Sequence, residues 1–265
     1  MKRIHYEVVG SGDHDVIICN GLSQSTANWR GIARSNPHFR WILFDARGCG
    51  KSPLGERPYS LDDHVDDLCW VLDQLSDCKP LLLGFSHGGR VATRAAAREP
   101  HRFSSMVLTS VGSQMTTQRK AYVSSWQKSL ELGGLRGMAW ATLPTIVGRK
   151  ILDKFTNWEL LVNGTINRNS EEGLLAMFEG MATYPPLQTD AEQISLPTLI
   201  LQGGEDPLLH LADLENLASW TGGSKELYED CGHTLPLEEP NLFVASLTRF
   251  ISQVNNELPE ADPEN

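Results

Sequence analysis

No run of about twenty uninterrupted apolar residues occurs in this 265-residue chain, so no membrane-spanning helix is expected. Cysteine is scarce and scattered, with five residues at positions 19, 49, 69, 78 and 231 and no Cys-x-x-Cys pair. That pattern argues against a disulfide scaffold and a structural zinc site, and makes a reducing cytoplasm the expected location. Positive charge is in deficit: 23 Lys and Arg against 33 Asp and Glu leave a formal net charge of −10. Such a chain gains nothing near a phosphate backbone, so no nucleic acid partner is expected. Lys2 and Arg3 are followed by no apolar run, so the segment from Met1 to Val9 reads as a first strand and not as an export signal. Internal repeats are also lacking. What is present is a 40% apolar chain long enough for one large core.

Short apolar runs punctuate the chain: Val16–Cys19, Trp41–Phe44, Leu81–Leu83, Met106–Leu108 and Thr198–Leu201. None alternates with polar residues, which suits strands covered on both faces in a parallel sheet. Helical segments lie between them. One starts at Ser60, with Asp63 three residues on as its capping-box partner, and carries Val65, Leu68, Val71, Leu72 and Leu75 at helical spacing. Another runs from about Gly88 to Arg98 and stops before Pro100; the last spans about Asn241 to Val254. Alternating strands and helices predict an α/β fold with a mostly parallel sheet. Residues 113–190 break the rhythm and read as a helical cap inserted into a core formed by 1–112 and 191–254. Residues 255–265 read as a flexible acidic tail.

The cap is less acidic than the rest. From Ser113 to Lys150 it carries Arg119, Lys120, Lys128, Arg136, Arg149 and Lys150 against Glu131 alone, or +5. A solvated helix face accounts for this pattern; a docking patch for an acidic carrier or an anionic substrate tail is the sharper reading.

The strongest chemical signal is Leu81-Leu82-Leu83-Gly84-Phe85-Ser86-His87-Gly88-Gly89, a Gly-x-Ser-x-Gly placed after a strand and before a helix. In that turn the serine hydroxyl projects clear of the sheet, and the flanking glycines remove Cβ atoms that would collide. The N–H of His87 then points toward an oxyanion, with the helix N-terminus adding positive potential. Serine needs a base held by a third group. Asp206 ends the strand-turn Thr198–Glu205 and precedes Pro207, which favours it over Glu205 as that third group. His233 follows Cys231-Gly232 after a short strand and is the expected base. His87 is the rival, assigned to pocket shaping; Cys231 reads as a small buried residue.

These blocks resemble the α/β-hydrolase-fold serine hydrolases over about residues 4–112 and 191–253. The Ser…Asp…His order is the family's. Asn20-Gly21-Leu22 follows the second apolar strand, with Trp29 beyond it, and Asp45-Ala46-Arg47-Gly48-Cys49-Gly50-Lys51-Ser52 is similar to the family's D-x-R-G-x-G-x-S loop. The resemblance implies a catalytic set of Ser86, Asp206 and His233. It also implies that the N–H of Leu22 is a second oxyanion donor beside that of His87. Asn20 stands where a His-Gly pair is usual, a start similar to that of bacterial 3-hydroxyacyl transferases. Leu22, Trp29, Trp126 and Trp140 are expected to touch substrate, with Trp158, Leu143, Phe155 and Met177 adding to an apolar acyl pocket. No metal or organic cofactor is needed.

The expected function is a carboxylesterase acting on an apolar acyl ester through an acyl-enzyme. An acyltransferase, esterase or thioesterase acting on carrier-bound acyl chains (acyl carrier protein or coenzyme A) is the alternative. A ligand receptor on the same scaffold is the third.

Overall fold

A computed structural model describes residues 4–75 and 79–257. Seven strands form one sheet in the order β1-β3-β2-β4-β5-β6-β7. They are β1 Tyr6–Val9, β2 His14–Cys19, β3 Phe39–Phe44, β4 Leu81–Phe85, β5 Ser105–Thr109, β6 Thr198–Gly203 and β7 Ser224–Tyr228. All pairs are parallel except β1 with β3. The expected first strand is thus the shorter Tyr6–Val9, on an antiparallel edge; residues 1–3 lie outside the described residues.

The central strands are apolar on both faces because helices cover both. Ile17, Cys19, Ile42, Phe44, Leu82, Met106, Leu108 and Ile200 point into one core layer. Their neighbours Val16, Ile18, Trp41, Leu43, Leu81, Leu83, Val107 and Leu199 point into the other. This period of two is the strand geometry itself. The first layer is closed by α2 (Leu61–Asp73), α3 (His87–Arg98) and α9 (Leu211–Thr221); the second by α1 (Thr26–Ser35) and α11 (Pro240–Glu257). Ser60 caps α2 as expected: its N–H donates to Asp63 Oδ2 at 2.9 Å, and the Asp63 N–H donates back to Ser60 Oγ at 3.1 Å. The last helix is longer than the sequence predicts. Asn255 to Glu257, read as the start of a tail, continue α11 because Val254 is still buried against the core; residues 258–265 lie outside the described residues.

Between β5 and β6 the chain runs through α4 (Thr117–Ile146), α5 (Arg149–Leu152), α6 (Glu159–Arg168), α7 (Glu171–Met181) and α8 (Leu187–Ala191). Gly134, at φ 59° and ψ −162°, breaks α4 into two helices. This insert has its own apolar cluster, Trp126, Leu130, Met138, Leu174, Met177 and Phe178, which packs with Leu22, Cys49 and Tyr59 of the core. Among the described residues no helix is long and apolar enough to cross a membrane.

The strand order places the candidate site. The chain passes from β2 to β3 on one side and then to β4 on the other. A crevice opens outside the carboxyl ends of the strands at such a reversal. Asn20-Gly21-Leu22 leaves β2 there, and Ser86 leaves β4 beside it.

Candidate active site

Ser86 joins β4 directly to α3 and holds φ 52° and ψ −116°, a left-handed conformation that costs a non-glycine residue about 1–3 kcal/mol. The turn survives because Gly88 lets α3 lie against the end of β2: a Cβ there would sit 2.0 Å from the Cys19 carbonyl oxygen. Ser86 is also tied to β5, its N–H donating to the Thr109 carbonyl at 3.0 Å.

Asp206, beyond β6, and His233, beyond β7, converge on this serine. His233 Nε2 lies 2.9 Å from Ser86 Oγ, and Nδ1 lies 2.7 Å from Asp206 Oδ2. The carboxylate fixes the tautomer: Nδ1 carries the proton and donates it to Asp206, leaving Nε2 to accept from the Ser86 hydroxyl. Both Asp206 and His233 are buried. The other Asp206 oxygen accepts from the Leu208 N–H at 2.9 Å. Glu205, the sequence rival, faces outward and pairs with Arg149 at 3.0 Å. Cys231 is buried, and burial pushes its thiol up to about 11, so it stays protonated near neutrality.

The loop after β2 stands opposite. The Gly21 N–H donates to Gln24 Oε1 at 3.1 Å, and Asn20 Nδ2 donates to the Phe44 carbonyl at 2.5 Å. These two bonds hold the turn that presents Leu22. The backbone N–H groups of Leu22 and His87 have no acceptor among the described residues. The His87 side chain is buried, with Nε2 3.2 Å from the Tyr184 hydroxyl and its ring edge-on to buried His64. Burial holds His87 down to about 4 and lowers His64 as well, so both are neutral near pH 7.

Two cavities, of about 680 and 150 Å³, meet at this centre and share Leu22, Ser86, Trp126, Leu208 and His233. Leu22 and Trp126 therefore lie where a substrate contact was expected, but the other two residues named with them do not. Trp29 is buried beneath the sheet, with ring centroids 6.0 Å from Phe85 and 6.3 Å from Phe243. Trp140 lies outside both cavities on α4 and is 39% exposed. Leu143, Phe155, Met177 and Trp158 line neither cavity.

Two arginines that the sequence reading passed over line the cavities instead. Arg90, on the first turn of α3, faces the larger cavity; Arg168, at the end of α6, faces the smaller. Each has a buried Nε without a partner, and neither forms an ion pair among the described residues. Among the described residues Arg90 donates to the Pro185 carbonyl alone. Burial pulls the guanidinium of both below its usual range. A signal for Arg90 existed: a cation in the first turn of a helix opposes the dipole. Arg168 closes its helix and looks ordinary in the sequence.

Most of the basic residues counted in the segment pair with acids of the same chain. Arg119 is buried and bound to Asp213, Arg136 pairs with Glu159 at 2.7 Å, Lys128 with Glu131 at 2.5 Å, Arg149 with Glu205 and Lys150 with Glu239 at 2.6 Å. A count along the segment misses these partners because all but Glu131 come from beyond Lys150.

A family model described as alpha/beta hydrolase fold matches residues 16–132. The chain is 27% identical over 265 residues to a Bacillus subtilis protein provisionally named 2-succinyl-6-hydroxy-2,4-cyclohexadiene-1-carboxylate synthase, covering 95% of this chain and 96% of that one. It is 23% identical to 3-oxoadipate enol-lactonase 2 of Acinetobacter baylyi, covering 95% and 94%. It is 26% identical to the pimeloyl-[acyl-carrier protein] methyl ester esterase of Nitrosospira multiformis, covering 93% and 97%. Among solved structures, an alpha/beta hydrolase from a Medee basin deep-sea metagenome library superposes with a TM-score of 0.85 at 23% identity, covering 100% of this chain and 98% of that one. With the sheet order and the strained serine turn described above, these matches show that the chain has the α/β-hydrolase fold.

Proposed function

We propose that the chain is a serine hydrolase that cleaves a carboxylic ester through an acyl-enzyme. The reading is carried by one observation, the continuous hydrogen-bonded array Asp206–His233–Ser86 at the strand ends. His233 Nε2 takes the hydroxyl proton as Ser86 Oγ bonds to the ester carbonyl carbon. The resulting oxyanion accepts from the N–H groups of Leu22 and His87, each worth about 3–4 kcal/mol to the transition state. Asp206 stabilises the imidazolium, which then gives its proton to the departing alkoxide as the C–O bond breaks. Water, deprotonated by His233, attacks the acyl-Ser86 carbonyl; the C–Oγ bond breaks, the acid is released, and His233 returns the proton to Ser86 Oγ. The relatives named esterase and enol-lactonase support this bond class. The free Cys19, Cys49, Cys69 and Cys231 thiols fit work in a reducing cytoplasm.

The substrate we favour is an apolar acyl compound that carries a carboxylate. A buried cation without a counter-charge is costly, and a bound carboxylate relieves that cost by charge-assisted hydrogen bonds. Arg90 and Arg168 are half-buried, form no ion pair among the described residues, and line one each of the two cavities that share Ser86. The names of the relatives fit, since a carboxylate, an oxoadipate and a nonadienedioate appear among them. The carrier-bound alternative has the named esterase in its favour. The test is kcat/KM for the mono-p-nitrophenyl ester of a dicarboxylic acid against the uncharged ester of equal length. Wild type should prefer the charged ester, and Arg90→Met or Arg168→Met should erase about tenfold or more of that preference. Equal rates on both esters in the wild type would remove the anionic substrate and leave the esterase.

A further inference from the structure

The turn that carries His233 is not held by the sheet alone. Glu238, on α10 (Leu235–Glu238), is buried, and no cation pairs with it among the described residues. Its two carboxylate oxygens each accept from the Gly232 N–H at 3.1 Å, and Oε1 also accepts from the Thr234 hydroxyl at 3.2 Å. One side chain therefore grips the residues immediately before and after His233.

The helical insert closes over this carboxylate. The Gly148 N–H donates to Thr234 Oγ1 at 3.1 Å. A Cβ on Gly148 would lie 1.9 Å from Glu238 Oε1, and a Cβ on Gly232 would lie 2.9 Å from the Gly148 Cα, so the two backbones are in direct contact. On either side the insert reaches the neighbouring turns, Arg149 to Glu205 at 3.0 Å and Lys150 to Glu239 at 2.6 Å. Glu205 is the residue before Asp206, and its N–H donates to the Cys231 carbonyl at 2.8 Å.

We propose that Glu238, closed in by Gly148, is a positioning residue for His233, and that through it the helical insert sets whether the base is aligned between Asp206 and Ser86. The physical reason is that the array depends on two short hydrogen bonds from one ring. An imidazole displaced by about 1 Å loses both, at a cost of about a hundredfold in rate. A carboxylate that fixes the backbone on both sides of the ring removes the freedom to make that displacement. The idea rests on His233 being the base.

Three variants test it, read by kcat, KM, the acid limb of the kcat/KM pH profile and melting temperature. Gly148→Ala should push the carboxylate off the Gly232 N–H and lower kcat by about 10–100-fold with KM within about twofold. The acid limb should move to lower pH, because a displaced ring is less well paired with Asp206. Thr234→Val keeps the volume, removes the hydroxyl that Gly148 and Glu238 share, and should fold even if Gly148→Ala does not; it should lower kcat by about three- to tenfold. Glu238→Gln keeps an acceptor for Gly232 and should retain kcat within about threefold. A fall in melting temperature with wild-type kcat and an unmoved acid limb in Gly148→Ala and Thr234→Val would overturn the positioning role. Undiminished turnover in Ser86→Ala would instead overturn the reading of the site on which it stands.

Discussion

Ser86 Oγ and His233 Nε2 are 2.9 Å apart although 147 residues of chain separate them. Nothing local brings them together. The approach follows from strand order: β4 delivers the serine from the middle of the sheet, and β6 and β7 run parallel to it with their carboxyl ends on the same edge. The 2.7 Å contact of His233 with Asp206 then selects the tautomer that can accept from the serine.

Asn20 holds the turn on the opposite side of the serine, and its amide bridges the ends of β2 and β3 through the Phe44 carbonyl. Asn20→Ala leaves that carbonyl unpaired and lets the Leu22 N–H drift from the oxyanion position. Loss of an oxyanion donor costs about a hundred- to a thousandfold, so a loosened one should lower kcat by about tenfold with KM nearly constant. Steady-state kinetics of the purified variant check this; a change in KM alone would assign Asn20 to ground-state binding.

Stability should fall on acidification in a defined window. His87 is held from 6.5 down to about 4 by burial, and His64 is lowered in the same direction. Between those values the unfolded chain binds protons that the folded protein refuses, so stability is complete above about pH 6.5 and is lost as pH falls toward 4. For His87 the loss reaches about 3 kcal/mol at the bottom of the window. Urea denaturation from pH 7.5 to 4.5 measures it, and His64→Phe should flatten the curve by about one proton. A flat curve in the wild type would show that these rings are not buried neutral.

The basic residues of the insert should divide by burial and not by charge. Arg119 is buried, donates to the Leu208 carbonyl at 2.6 Å and pairs with buried Asp213. Arg119→Ala strands that carboxylate and should destabilise the protein by about 3–5 kcal/mol. Arg136, exposed and paired with Glu159, should tolerate Arg136→Glu with stability within about 1 kcal/mol of the wild type. Thermal denaturation of the two variants side by side distinguishes these outcomes, and equal losses would contradict the burial argument.

The sheet was legible because Val16–Cys19, Leu81–Leu83 and Thr198–Leu201 are apolar on both faces, and burial on both faces is what the structure gives them. The serine turn was legible for a local reason: a strand, two glycines and a helix leave one geometry for the residue between. Asp206 and His233 could be read because each closes a short strand at a glycine turn. The tryptophans could not be sorted, since Trp29 and Trp126 have the same composition signal and differ in where their helices pack, Trp29 against the sheet and Trp126 within the insert. Arg119 and Asp213 are 94 positions apart, and Arg90 and Arg168 approach one centre from different helices. A pattern read along the chain sees none of those relationships, and the +5 count omitted the acids beyond Lys150 for that reason.

The central claim is that Ser86 forms the acyl-enzyme. Hydrolysis of a short p-nitrophenyl ester by the wild type and by Ser86→Ala, at matched concentration and with melting temperature verified, tests it most directly. The account predicts turnover in the wild type and a loss of about ten-thousandfold or more in the variant. Turnover in Ser86→Ala within about tenfold of the wild type would contradict it, because no other nucleophile in the array could sustain that rate.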